Sequence, residues 1–327
     1  MAADKRVSRT RVARRRRRAL VAGLVAFAAV DVLLVAAAVT RGGSSGEPGA
    51  SGSSAPASVT LPSDTGSPAA PETPEASPEP TADAAAVVAP ARLLSAVDSR
   101  TAWRSSRGAC PAGEAPVLER TDDGGTTWRS VQIGTDQPAA LDRVQAQDAA
   151  TVFVVGATAG TCEPVFAQTF TSGEAFRTYP DRLAASWYVA AAYPATVHSP
   201  SGAFAAPCAV VTSLAVTDDS RAAVLCADGQ LRATADGAAT WGAAVPAPGV
   251  VDLTASSTGY LLAGTGGSCE GVAVSSWAAT GGVLTDVGCA SGAAPAAGQL
   301  AVAARAGSAW LWSGDDVLVS TDGGASW

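Results

Sequence analysis

TDDGGTTW (Thr121 to Trp128), TADGAATW (Thr234 to Trp241) and STDGGASW (Ser320 to Trp327) are three versions of one eight-residue pattern. Each opens on a hydroxyl residue (Thr121, Thr234, Ser320) and places an acid two positions later (Asp123, Asp236, Asp322). A second hydroxyl (Thr127, Thr240, Ser326) then precedes a closing tryptophan (Trp128, Trp241, Trp327). The chemistry is that of a turn. A short Asp side chain accepts hydrogen bonds from turn amides, glycine tolerates positive φ, and a Ser or Thr hydroxyl adds a further local bond. The indole is left to pack between neighbouring sheets, so these residues read as structural rather than catalytic or metal-ligating. The second copy has Ala238 where the others have Gly125 and Gly324, which predicts a shifted or strained turn. A decayed copy, TFTSGEAF, runs from Thr169 to Phe176 with Thr171 in the acid position, and Ser275-Ser276-Trp277 reads as a poorer fifth.

Outward from these turns, a second pattern recurs about 16–25 residues earlier in the chain: a polar turn followed by a short apolar run. It reads DSRTAW from Asp98, DAATVFVVG from Asp148, DSRAAVLC from Asp219, SSTGYLLAG from Ser256 and AGSAWLWSG from Ala306. Alternating β-branched and aromatic runs between Gly-rich turns predict short antiparallel strands. Five units over residues 91–327 average about 47 residues, the length of one four-stranded propeller blade. A small sheet cannot bury both its faces alone, and packing blades about an axis supplies the missing contacts. The expected fold is therefore all-β, a propeller of five blades. Residues 177–212, with Trp187-Tyr188-Val189, form an insertion that could be a degenerate sixth.

S/T-x-D-x-G-x-T/S-W is the Asp-box signature, and 91–327 resembles the BNR/Asp-box repeat β-propellers. That group includes sialidases, the photosystem II assembly factor, sortilin-type ectodomains and some glycanases. In the family the box joins the third and fourth strands of a blade. Trp327 ends the sequence before such a strand, so residues near 84–94 are expected to supply the outer strand of the last blade. Failing that, the blade has three strands.

The N-terminal quarter is of another kind. Residues 1–18 carry a formal charge of about +8, and residues from 42 onward about −15, so the net −7 averages two opposed segments. The folded part has no basic footprint for nucleic acid. Residues 19–40, ALVAGLVAFAAVDVLLVAAAVT, contain a single charge, Asp31, and are long enough to cross a hydrocarbon core of about 30 Å. Arginines 14–18 place the N-terminus in the cytoplasm by the positive-inside rule. Cleavage as a signal peptide at Ala36-Ala37-Ala38 is the rival reading. Residues 41–90 are rich in Gly, Ser, Pro, Thr and Ala and lack the apolar surface to fold, which predicts a disordered stalk.

All six cysteines, Cys110, Cys162, Cys208, Cys226, Cys269 and Cys289, lie beyond the stalk. An even count confined to one side of a membrane segment suggests disulfides formed in an oxidising compartment, with 15 pairings open. Buried free thiols are the alternative. The spacings contain no CxxC pair and His198 is the single histidine, which argues against zinc. GxSxG, HExxH and P-loop motifs are absent from the sequence. The family's Phe-Arg-Ile-Pro start is missing too, since the nearest candidate, Ala91-Arg92-Leu93-Leu94, lacks the proline. The tyrosines Tyr179, Tyr188, Tyr193 and Tyr260 sit in no recognisable motif. No catalytic, cofactor or metal residue is expected. The leading expectation is a membrane-tethered, extracytoplasmic module that binds a protein or peptide partner or assists complex assembly. A propeller binding or hydrolysing cell-wall glycan, sialidase-like, is the second reading, and a structural stalked surface protein the third.

Overall fold

A computed structural model describes residues 86–134, 137–278 and 282–327. The expected membrane segment 19–40 and most of the stalk lie outside the described residues. No helix among the described residues is long and apolar enough to cross a membrane.

The described chain forms a five-bladed β-propeller. The first sheet contains β1 (Arg92–Ala96), β2 (Ala102–Ser106), β3 (Leu118–Thr121) and β4 (Arg129–Val131). The second contains β5 (Ala140–Ala146), β6 (Val152–Ala157), β7 (Pro164–Thr169) and β8 (Phe176–Thr178). An insertion follows, with a single helical turn, Pro180–Leu183, and a hairpin of β9 (Thr196–Ser199) and β10 (Gly202–Ala205). The third sheet holds β11 (Val211–Val216), β12 (Ala222–Cys226), β13 (Gln230–Thr234) and β14 (Val245–Pro246). The fourth holds β15 (Val250–Ser256), β16 (Gly259–Gly266), β17 (Cys269–Trp277) and β18 (Thr285–Ser291). The last has three strands, β19 (Leu300–Arg305), β20 (Ser308–Ser313) and β21 (Asp316–Ser320). Each sheet is an antiparallel meander with its first strand innermost.

Because every meander starts at the axis and runs the same way, the ring has two distinct faces. At the entry face the inner strands begin; here lie the β2–β3 type loops and the links between blades. At the exit face lie the β1–β2 type turns and the β3–β4 type turns. Asx turns close the former. The Asp98, Asp148 and Asp218 Oδ1 atoms each accept backbone N–H groups two and three residues on, at 2.7–2.9 Å. In the third blade this acid is Asp218, one residue before the Asp219 from which the sequence pattern was counted.

Hydrophobic side chains are buried between blades. Trp103, Leu118, Leu141 and Val154 share one cluster, and Leu225, Leu231, Leu253 and Leu262 another. The insertion adds a two-stranded sheet rather than a sixth blade. It wedges between the second and third sheets, with Tyr188 against Val155 and Phe166 on one side and Trp187 against Val224 and Cys226 on the other. Trp187 Nε1 donates to the Asp218 carbonyl at 3.1 Å.

Among the described residues the ends of the domain do not exchange a strand. Residues 92–96 form the inner strand of the first blade instead of an outer strand for the last. Closure rests on side chains. Trp310 is fully buried with Ala96, Ala102 and Ala303, meets Trp128 edge-on at 6.4 Å, and bonds the Asp98 carbonyl at 2.8 Å. The Trp312 ring lies between the Arg92 and Arg104 guanidinium groups, at 4.3 and 4.8 Å. The folded unit also begins a little before residue 91. The Val87 N–H bonds the Ala227 carbonyl at 2.8 Å, and Pro90 is buried.

Candidate functional site

The Trp-ended turns all lie at the exit face. Thr121, Thr234 and Ser320 each donate to the acid's Oδ1, at 2.8, 2.8 and 2.6 Å. Oδ1 also accepts the N–H of Thr127, Thr240 or Ser326 at 2.9–3.0 Å, and Oδ2 accepts the same residue's hydroxyl at 2.6 Å. The hydroxyl of Thr127, chiefly, holds the Asp123 carboxyl at about 2. Asp236 and Asp322 are lowered in the same way, through Thr240 and Ser320 first. Trp128 and Trp327 Nε1 bond the carbonyls of Gly125 and Gly324 at 3.0 and 2.9 Å. Ala238 takes a left-handed φ of 75°, and Trp241 Nε1 is buried with no partner among the described residues. The decayed copy keeps the turn, with the Thr171 hydroxyl accepting the Ala175 N–H at 3.2 Å. Ser275-Ser276-Trp277 is not a turn. It ends strand β17, and Trp277 packs near Tyr260. Both carboxylate oxygens of Asp123, Asp236 and Asp322 are engaged by bonds inside the turn.

The six cysteines form three disulfides, Cys110–Cys162, Cys208–Cys226 and Cys269–Cys289, all toward the entry face.

Charged and polar side chains also line the axis. A channel of about 850 Å³ runs between the inner strands and is lined by Arg107, Asp142, Tyr188, Ser213, Asp252 and Arg305 among others. Three inner strands carry a bulge at their entry ends, at Asp142 in β5, Thr212 in β11 and Val251 in β15. Such bulges re-aim side chains. Gly156, opposite the first, allows close approach, since a Cβ there would lie 2.2 Å from the Ala140 carbonyl oxygen. Arg107 ends the β2 side of the same mouth. Its N–H bonds the Ala91 carbonyl and its carbonyl accepts the Leu141 N–H, while Gly108, at φ 67°, turns the chain toward the second blade.

Asp252 joins three blades, accepting the Ser213 hydroxyl at 2.6 Å and the Val302 N–H at 2.8 Å. Burial nonetheless pushes its carboxyl up to about 6. Asp142 accepts the Ala191 N–H of the insertion at 3.0 Å and is raised by burial. Burial lowers Arg107, opposed by Asp142 and Asp252. Arg107 Nε is enclosed and meets no acceptor among the described residues.

Arg107 Nη1 donates to the Asp142 carbonyl at 3.4 Å, and the other arginines along the channel are likewise bonded to structure. Arg143 donates to the Trp187 carbonyl at 2.7 Å and to Gln145, and burial lowers it to about 10. Arg92 donates to the Gly314 carbonyl. Arg305 bonds the carbonyls of Ala146 and Gln147 at 3.0 and 2.7 Å, across the exit end. His198 stacks on Tyr188 at 4.2 Å. Among the described residues no group of three or more His, Cys, Asp or Glu side chains could hold a metal ion.

Arg107, Asp142 and Asp252 were not singled out by sequence reasoning. The available signal was an acid inside an apolar inner-strand run, ALDRVQA and VVDLTAS.

The sequence matches no protein-family model and no curated protein. Similar solved structures include YCF48 bound to D1 peptide, at 17% identity, covering 74% of this chain and 68% of that one, with a TM-score of 0.29. A putative glycosidase from Bacteroides thetaiotaomicron is 10% identical over 71% of this chain and 86% of its own, with a TM-score of 0.39. A GH74 xyloglucanase from Xanthomonas campestris is 16% identical over 72% of this chain but 37% of its own, with a TM-score of 0.29. Likeness at this level carries no function to the present chain.

Proposed function

We propose that this chain is an extracytoplasmic propeller that binds a protein or peptide partner at its entry mouth. It is tethered by residues 19–40 and held off the membrane by the segment that follows. One observation carries the reading: the charged side chains of the channel are fixed by bonds between blades. Asp252 ties β15 to β11 and β19, Asp142 ties β5 to the insertion, and Arg143 and Arg305 are held by carbonyls. That arrangement gives a rigid, pre-organised mouth, and a site already ordered loses little entropy on binding. The three disulfides support an oxidising compartment. The acidic balance beyond residue 42 favours a partner with a basic patch and predicts weaker binding as salt rises.

A photo-cross-linking residue at Val210, exposed beside the mouth, tests the proposal on intact cells, with the exit-face Thr126 as control. Val210 is expected to capture a protein that Thr126 does not. Equal capture from both positions, or capture from Thr126 alone, would refute it.

A glycan reading has one observation in its favour. Tyr188, Asp142, Asp252 and Arg107 converge on the axis, a composition a sugar site uses. Against hydrolysis, Arg92, Arg143 and Arg305 are bonded to backbone carbonyls instead of forming a free cluster. Chromogenic sialosides and xyloglucan oligosaccharides are expected to remain uncleaved.

A further inference from the structure

Between the second and third blades the insertion sets out three rows of backbone, counted from the axis outward. Tyr188 lines the channel and exchanges backbone bonds with His198 of β9, at 3.0 and 2.9 Å. β9 then pairs antiparallel with β10, which borders no further strand among the described residues. Antiparallel neighbours exchange bonds at every second residue. The Ala206 N–H bonds the Ala195 carbonyl at 2.8 Å, so Gly202, Phe204 and Ala206 turn their backbone groups toward β9. Ala203 and Ala205 therefore turn theirs outward. Both are exposed, and their N–H and carbonyl groups meet no backbone partner among the described residues.

An open edge invites another strand, and proteins usually guard it with charge, proline or a bulge. The outer strand of every blade is guarded in this way, by Arg129 in β4, Arg177 in β8, Pro246 in β14, Asp286 in β18 and Asp316 in β21. β10 reads Gly-Ala-Phe-Ala and carries no such guard. Residues 184–217 around it contain no Asp, Glu, Lys or Arg, although the chain from residue 42 onward carries about −15. A charged segment laid here would lose hydration and find no opposite charge in return.

We propose that β10 takes up an extended, uncharged peptide segment of another protein by strand addition, bonded to the outward N–H and carbonyl groups of Ala203 and Ala205. One added strand makes a fourth row, the number in four of the five blades. A second copy pairing edge to edge would give six rows. The segment's alternate side chains lie beside the Ala203 and Ala205 methyls on one face and beside Phe204 on the other, so apolar residues suit both. This edge is a second surface, distinct from the entry mouth, and it selects a neutral partner where the mouth reading calls for a basic one.

The test is selection from a display library of random octapeptides against the full 327-residue chain in detergent micelles, with the enriched peptides then titrated singly. An uncharged class with apolar residues in alternation is expected. Ala203→Pro deletes one outward donor at a position where an edge tolerates proline, and it should weaken that class at least about tenfold. Hydrogen exchange at the Ala203 and Ala205 amides should slow on binding, with the Phe204 amide unchanged. Absence of an uncharged class, equal binding by Ala203→Pro, or unaltered exchange at Ala203 and Ala205 overturns the proposal. So does self-association that Ala203→Pro abolishes, which would assign the edge to a second copy. Should the variant fail to fold, the exchange pattern of the unaltered chain decides. A basic class bound equally by the variant, with no uncharged class beside it, removes this inference and leaves the mouth reading standing.

Discussion

At the exit face, four of the five blades turn on bonds made inside eight residues, from Thr121, Thr169, Thr234 and Ser320 onward. At the entry face the links are long-range. Cys110 joins Cys162 across 52 residues, and Asp252 reaches Ser213 and Val302, 39 and 50 residues away. A local turn forms wherever its sequence occurs and says little about a ligand. A mouth assembled from distant strands forms only when the ring closes, so a rigid arrangement of charge there depends on the whole fold. The turns of one face are modular, and the mouth at the other is cooperative.

The contrast can be broken at the closure seam first. Trp310→Ala removes a fully buried indole between the first and last blades and should cost about 3–5 kcal/mol in denaturant unfolding. A loss confined to the fifth blade, with the rest still melting as one unit, would show that closure matters less than claimed. Replacing Cys110 and Cys162 by serine should cost up to about 4 kcal/mol from loop entropy, against about 3 for either shorter bridge. Hydrogen exchange should then quicken at 107–117 and 158–163 while 121–128 keeps its protection.

Acid and base should also separate the faces. Asp123, Asp236 and Asp322 are lowered in the fold, so their contribution is present above the ordinary carboxyl value of about 4 and fades below it. Asp252 is raised, so its effect has the opposite sign: stability is greatest below about 4 and declines as pH rises through about 6. Melting temperature followed against pH should peak near about 4, falling below it through the turn acids and between about 4 and 6 through Asp252, and Asp252→Asn should flatten most of the upper decline. A small effect is expected from Thr171→Asp, which completes the second-blade turn and should raise the melting temperature by about 1–3 °C. Ala238→Gly should be nearly neutral, since relief of the left-handed alanine is offset by loss of a buried methyl.

What could be read in the sequence follows the same division. The turns were legible because the side-chain donors and acceptors that define them lie within eight residues. The strand runs were legible through alternation. Ser275-Ser276-Trp277 misled because hydroxyl and tryptophan match the turn's ending, but without Asp and Gly the strand period of VAVSSW prevails. Strand exchange between the ends was also misjudged. Residues 92–96 have a partner in 102–106 through the Asp98 turn, and a hairpin needs far less loop closure than pairing across the domain. Cysteine pairing, Arg107, Asp142 and Asp252 were opaque for one reason: their neighbours are set by the ring, and no window of sequence holds them together.

Arg305 has a mechanical consequence. Its guanidinium starts on the last blade, passes the first, and grips Ala146 and Gln147 on the second, while the Ser95 hydroxyl separately ties the first to the second. Tension pulling the last blade from the first would thus load these two links in series through the second blade. The seam between the first and last blades thereby gains a detour through the second, which bears load only as that seam opens.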